Sequence, residues 1–173
     1  MAVPTFDRAR IEALVERAGE QLDGDWVLMG AAAAVAWFSP ARTTADIDLI
    51  GLAGTQSERL AVMDFALEVG LPVEAVNSAA DFFVRRIPDW RDQLVVLHRG
   101  SRATIHRPNA TLFLLLKVGR LSETDLDDCR QLLATSETID RDRVIAALDA
   151  LLSTHDAALG ARRASLRASL SMR

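Results

Sequence analysis

Two neighbouring stretches decide the fold: Leu28-Met29-Gly30-Ala31 and, after one short helix, Arg42-Thr43-Thr44-Ala45-Asp46-Ile47-Asp48-Leu49. Trp26 to Met29 is a short apolar run that reads as a buried strand stopped by Gly30. The small apolar residues from Ala31 to Phe38 then suit a helix packed closely on a sheet, ended by Ser39-Pro40. Ile47 to Ile50 predicts a second strand. On a strand alternate side chains share a face, so Asp46 and Asp48 present two carboxylates together while Ile47 and Leu49 enter the core. Two adjacent carboxylates repel each other. A divalent cation removes that penalty, and Mg²⁺ or Mn²⁺ favours oxygen ligands while keeping positions open for phosphate. Gly30, with no Cβ, lets the backbone approach a phosphate at a helix start, where amides donate.

Outward from this centre the pattern is mixed. An amphipathic helix capped near Thr5 carries Ile11, Leu14, Val15, Ala18 and Leu22, and a second runs from about Gln56 to Val69. An edge strand is expected at Val73 to Val76, a short helix at Ser78 to Val84, and a hairpin from Leu94–Leu97 and Ala103–His106. Beyond Pro108 helical signals dominate: Thr111 to Val118, Thr124 to Leu133 and Arg141 to Leu152. The tail after Asp156 carries arginines and no acid, and reads either as a mobile tail or as a terminal basic helix. The expected class is α/β (α+β), a small mixed sheet flanked by helices. Residues 1–108 form the α/β core and residues 109–173 a helical part packed on it.

Composition bounds the function. The 173 residues suit one domain-sized fold with its own core, and 20 basic against 24 acidic residues give a net charge of −4. That balance gives no general signal for binding a polyanion. Lys117 is the only lysine; the other 19 cations are arginines. Cys129 is the only cysteine, so no intrachain disulfide forms, and with neither a leader pattern nor a membrane-length apolar run the expectation is a cytoplasmic protein that meets no membrane. His98, His106 and Cys129 lack the paired spacing of a zinc site. P-loop, dinucleotide and nucleophile-elbow motifs are absent, which speaks against kinase, oxidoreductase and hydrolase chemistry.

The glycine, the small apolar helix and the Asp46-Ile47-Asp48 pair resemble the DNA polymerase beta-like nucleotidyltransferase superfamily. Within it, Gly30 to Trp37 followed by Arg42 to Leu49 is similar to small bacterial nucleotidyltransferase-like proteins of the abortive-infection toxin type, from toxin–antitoxin systems. A second stretch extends the resemblance: Leu115-Leu116-Lys117-Val118-Gly119-Arg120, then Asp125-Leu126-Asp127-Asp128. Together these cover roughly residues 25 to 133.

The resemblance implies a nucleotidyltransferase-like fold and transfer of a nucleoside monophosphate from a nucleoside triphosphate to an RNA or protein hydroxyl, with a toxin-like role. It implies Asp46 and Asp48 as metal ligands and catalytic carboxylates, and Asp92 as the most plausible third carboxylate. Gly30, Ala31, Arg42, Thr43, Lys117 and Arg120 would hold phosphates, although an ion-pair network of Lys117 and Arg120 with the acidic cluster has equal weight. Two departures stand out. Ala31 replaces the usual serine or glycine, and neither later strand contains Asp or Glu, with Asp81 and Glu74 as the other substitutes. A catalytically degenerate module that binds protein or nucleic acid is therefore the alternative. The arginines at 85, 86, 91, 99, 102 and 107, against Asp89 and Asp92, give a local charge of 6 − 2 = +4 beside Phe82, Phe83 and Trp90, a candidate nucleic-acid surface. Apolar helical faces serve a core or a homo-oligomer interface equally well.

Overall fold

The computed structural model describes residues 5–72, 75–77, 80–151 and 154–172. The chain divides into two compact units, Met1–Pro108 and Asn109–Arg173. The first is a mixed five-stranded sheet with helices. The second is helical throughout. Among the described residues no helix is long and apolar enough to cross a membrane.

In the first unit, α1 (Arg8–Gln21) leads into β1 (Gly24–Met29), α2 (Gly30–Trp37), β2 (Ile47–Gly51) and α3 (Gln56–Glu68). The short β3 (Val76–Asn77) and α4 (Ala80–Val84) follow, then a 3-10 turn at Trp90–Gln93 and the hairpin of β4 (Leu94–Arg99) and β5 (Ala103–Pro108). The strand order is β3-β2-β1-β5-β4. β1 pairs antiparallel with β2 and parallel with β5, so it is flanked on both edges, while β4 and β5 are antiparallel with an irregularity between Val96 and His98.

Helix starts follow capping chemistry. The cap of α1 is Asp7, whose carboxylate accepts from Arg10 N at 2.9 Å, rather than the expected Thr5. Aspartate is the better cap because its charge also favours the positive end of the helix dipole. α3 begins with a full capping box between Thr55 and Glu58. One core gathers Ile11, Val15 and Ala18 of α1, Ala32, Ala33 and Ala36 of α2, Val62 and Phe65 of α3, and Leu28, Ile47, Leu49 and Ile105 of the sheet. Alanine-rich α2 can approach the sheet closely because it presents little more than Cβ atoms, and Ala32 to Ala36 are all buried.

The expected edge strand appears as Val76–Asn77, paired parallel to β2 with Ile47 opposite Val76 and Asp48 opposite Asn77. Val73 and Glu74 lie outside the described residues, as do Ser78 and Ala79 at the start of the expected short helix.

The second unit contains α5 (Ala110–Lys117), α6 (Glu123–Leu133), α7 (Arg141–Ala150) and α8 (Ala157–Ser171). The arginine-bearing tail is therefore an ordered helix. Arg163 explains why: 5% exposed, it donates to the carbonyls of Val118 at 3.1 Å, Leu151 at 2.6 Å and Gly119 at 2.6 Å. Arg162 donates to Leu121 O at 2.6 Å, and Arg167 pairs with Asp149. Arg163 thereby satisfies carbonyls at the ends of α5 and α7, which a helix leaves without intrahelical partners.

Candidate functional site

The corner where β1 turns into α2 is built by three local features. Thr44 is fixed by a two-way backbone bridge to the fully buried Phe6, with Phe6 N to Thr44 O at 2.7 Å and Thr44 N to Phe6 O at 3.0 Å. The Thr44 hydroxyl then bonds the backbone of Asp46, receiving from its N at 3.3 Å and donating to its O at 3.2 Å. This turn delivers Asp46 to the start of β2 as an exposed residue, with Asp48 half-buried two positions on. Register completes the corner: Asp48 stands directly opposite Met29, the last residue of β1.

Gly30 takes φ = +60°, and a Cβ there would overlap the Oδ2 of Asp48. Only glycine meets both demands, a left-handed backbone and no side chain beneath a carboxylate. The Asp48 carboxylate thus lies against the first residue of α2, a helix whose N-cap, Met29, provides no side-chain bond. That end of a helix carries partial positive charge, which favours an anion placed there. Ala31 lies in the same first turn. Arg42 follows in the loop after α2, with its amide donating to Ser39 O at 3.1 Å, and Thr43 is exposed beside it.

The other expected site residues are placed differently. Asp92 is exposed in the 3-10 turn leading into β4. In the sheet order β4 lies three places from β2, which at ordinary strand spacing is roughly 14 Å. The strand beside β1 is β5, and its residues Ala103 to Pro108 include no carboxylate. Asp81 is ion-paired with Arg85 at 2.6 Å and with Arg59 at 3.4 Å, and Glu74 lies outside the described residues. Among the described residues no group of three or more His, Cys, Asp or Glu side chains is arranged to hold a metal ion.

Lys117 and Arg120 belong to an ion cluster of the second unit. Lys117, 7% exposed, donates to Asp125 Oδ1 at 2.6 Å and lies 3.6 Å from Asp128, while Arg120 grips both oxygens of Asp125 at 3.0 and 3.1 Å. Asp125 also closes the capping box of α6, receiving from Ser122 N at 3.1 Å. Burial alone pushes the Asp125 carboxyl upward, but the bonds from Arg120 and Lys117 outweigh it and hold the group well below the usual carboxylate range. Both cations of this stretch, Lys117 and Arg120, are thus engaged by Asp125.

Several arginines of the middle stretch bond within the fold, while Arg86, Arg91, Arg99 and Arg102 remain exposed. Arg85 donates to Gly51 O at 3.1 Å as well as to Asp81, Arg91 donates to Leu52 O at 3.1 Å, and both lie over the ring of the buried Trp90. Arg102 grips Asp23 through two bonds of 2.9 and 2.6 Å, and Arg107 stacks 3.7 Å from the centre of the Trp37 ring. Sequence alone does not reveal which carbonyls need a donor. His106 Nδ1 lies 3.2 Å from Trp26 O. Compared with known proteins, the chain matches no family model, no curated protein and no solved structure.

Proposed function

We propose that the Gly30–Asp46–Asp48 corner binds a nucleoside triphosphate with Mg²⁺ or Mn²⁺, and that the chain transfers a nucleoside monophosphate to a hydroxyl of RNA or protein, in a toxin-like role. The observation that carries this is the Asp48 carboxylate lying over left-handed Gly30 at the start of α2, with exposed Asp46 two residues before it. The donor set fits a hard cation that takes one or two carboxylates and completes its shell with water and phosphate oxygens. Bound there, the ion would neutralise charge on the triphosphate and polarise the phosphorus under attack. Gly30 and Ala31 offer backbone amides to phosphate oxygens, and a backbone donor is indifferent to the hydroxyl that Ala31 lacks. Arg42 and Thr43 approach on the loop that delivers Asp46. The acceptor hydroxyl gives up its proton to solvent as its oxygen bonds to the α-phosphorus and the bond to pyrophosphate breaks. Lys117 and Arg120 stay with Asp125 in this reading, and Asp92, three strands away, takes no part.

A second reading is favoured by one observation, the absence of any carboxylate on β5. Without a third acid to orient the acceptor, the corner would bind nucleotide and the chain would act as a protein- or nucleic-acid-binding module. Calorimetric titration of each nucleoside triphosphate, with and without Mg²⁺, into wild type and Asp46→Asn/Asp48→Asn protein tests both. Metal-dependent binding that the double variant loses is the expected result, with labelled nucleotide then appearing in RNA or protein. Binding without transfer selects the second reading, and no binding in any condition removes the nucleotide site.

A further inference from the structure

Five large apolar side chains left in solvent sit on two helices of the first unit: Leu60 (54% exposed), Met63 (44%) and Leu67 (64%) on α3, and Phe82 (58%) and Phe83 (61%) on α4. Positions 60, 63 and 67 repeat with the spacing of a coiled-coil seam, while the opposite face of α3 buries Val62, Phe65 and Ala66. A patch of this kind on a charged protein marks an interaction surface.

The two flanks of the stripe differ in charge. On one, Arg59 reaches Asp81 at 3.4 Å, so α4 lies on that side with Phe82, Phe83 and Arg86, whose guanidinium rests 3.8 Å from the centre of the Phe82 ring. On the other, Asp64 and Glu68 line a hollow of about 370 Å³, whose other two carboxylates are already engaged, Asp23 by Arg102 and Glu58 by the capping box of α3. Gln21 also lines that hollow, and its Oε1 is buried with no hydrogen-bond partner among the described residues.

We propose that the chain self-associates through this surface as a parallel two-fold dimer, α3 packed against α3 of a second copy. A two-fold axis running along α3 sets Leu60, Met63 and Leu67 each against its own counterpart. It also sets the basic flank of one copy against the acidic flank of the other. Arg59 then stands five positions before the partner's Asp64, the spacing at which parallel coiled coils form interhelical ion pairs. Each α4 comes over the other copy's hollow, where Arg86 meets carboxylates and the two phenylalanines leave water. The patch is thus complementary to itself, as a closed two-fold interface requires. An antiparallel pairing would face acid with acid. Since α3 is only 13 residues long, the association is weak, in roughly the micromolar range.

Sedimentation velocity over a concentration series reads the monomer–dimer equilibrium directly. Wild type is expected to dimerise, and Leu60→Glu/Leu67→Glu, which alters only exposed positions, to sediment as a monomer with an unchanged circular dichroism spectrum. Arg59→Asp alone weakens the dimer by about tenfold, and adding Asp64→Arg restores it, because the swapped charges again face each other. Leu67→Cys meets itself only in the parallel arrangement and forms a disulfide-linked dimer on oxidation. Native Cys129 does not compete, because it is fully buried and burial pushes its thiol up to about 12. A wild type that is monomeric at every concentration overturns the proposal, as does a dimer that survives the double glutamate variant. A dimer in which Leu67→Cys does not cross-link overturns the parallel arrangement.

Discussion

At Gly30 two separate costs of a side chain fall on one atom. A Cβ there would sit in a left-handed backbone and overlap the Asp48 carboxylate, whereas at Gly70, also left-handed at φ = +70°, a Cβ would meet nothing within 4 Å. Gly70→Ala should therefore cost only the conformational penalty, about 1 kcal/mol. Gly30→Ala should cost about 2 kcal/mol or more, since the carboxylate must also move. Urea unfolding of the two variants measures the difference, and equal losses would mean that Asp48 yields freely. If the carboxylate moves, the folded Gly30→Ala protein should also lose metal-dependent nucleotide binding. Much of this corner was legible in the residues themselves. The Trp26 to Met29 and Ile47 to Ile50 runs, the glycine between strand and helix, and the alternation of Asp46 and Asp48 with apolar neighbours are short-range signals. What these signals left out was the anchor: nothing in Phe6 announces that it holds Thr44 through two backbone bonds, because that pairing joins residues 38 positions apart, from 6 to 44.

For helices α5 and α6 the decisive matter is a buried lysine. Lys117 has a 2.6 Å bond to Asp125, a residue 2% exposed, and removing that carboxylate's charge leaves the buried lysine with only the more distant Asp128, at 3.6 Å. Asp125→Asn should therefore cost about 3 kcal/mol in the stability of the second unit. Acid acts on the same bond. The folded carboxyl titrates lower than it does unfolded, so its contribution is complete above the ordinary carboxylate pKa, about pH 4, and is lost as pH falls through the depressed folded value. Thermal unfolding followed from neutral pH downward should show wild type losing stability in that acid window and Asp125→Asn losing less. Parallel declines would place the acid-sensitive group elsewhere. Sequence left this cluster with two meanings, phosphate binding or an internal network, because a lysine and an aspartate eight positions apart have no fixed relation until the turn between them is known. That turn passes through Leu121, fully buried at φ = +34°. The terminal arginines were ambiguous for the same reason, since a basic run looks alike whether its partners are solvent or the carbonyls that Arg163 gathers.

Across the sheet, protection should follow strand order. β1 has a neighbour on each edge, whereas β4 is an edge strand with Val95 and Val96 exposed. Native-state hydrogen exchange should find the slowest amides of the first unit in β1 and faster ones along β4. Slow exchange along β4 would mean that its free edge is covered in solution. The mixed sheet flanked by helices and the helical C-terminal region could be expected from the alternation of apolar runs with helical patterns. Strand order could not, since the β1–β5 pairing carries no local signature: strand periodicity says which face is buried and is silent on the neighbour.

That pairing also sets a timetable for synthesis. Arg102, just before β5, grips Asp23, just before β1, across 79 positions of chain. During translation β2 emerges soon after β1 and can pair with it at once. The other edge of β1, along Gly24 to Val27, has to wait for most of the first unit to leave the ribosome. Until then it is a bare apolar strand edge, open to pairing with whatever lies nearby. A nascent chain arrested before Ala103 is thus the form of this protein in which chaperone engagement would matter most.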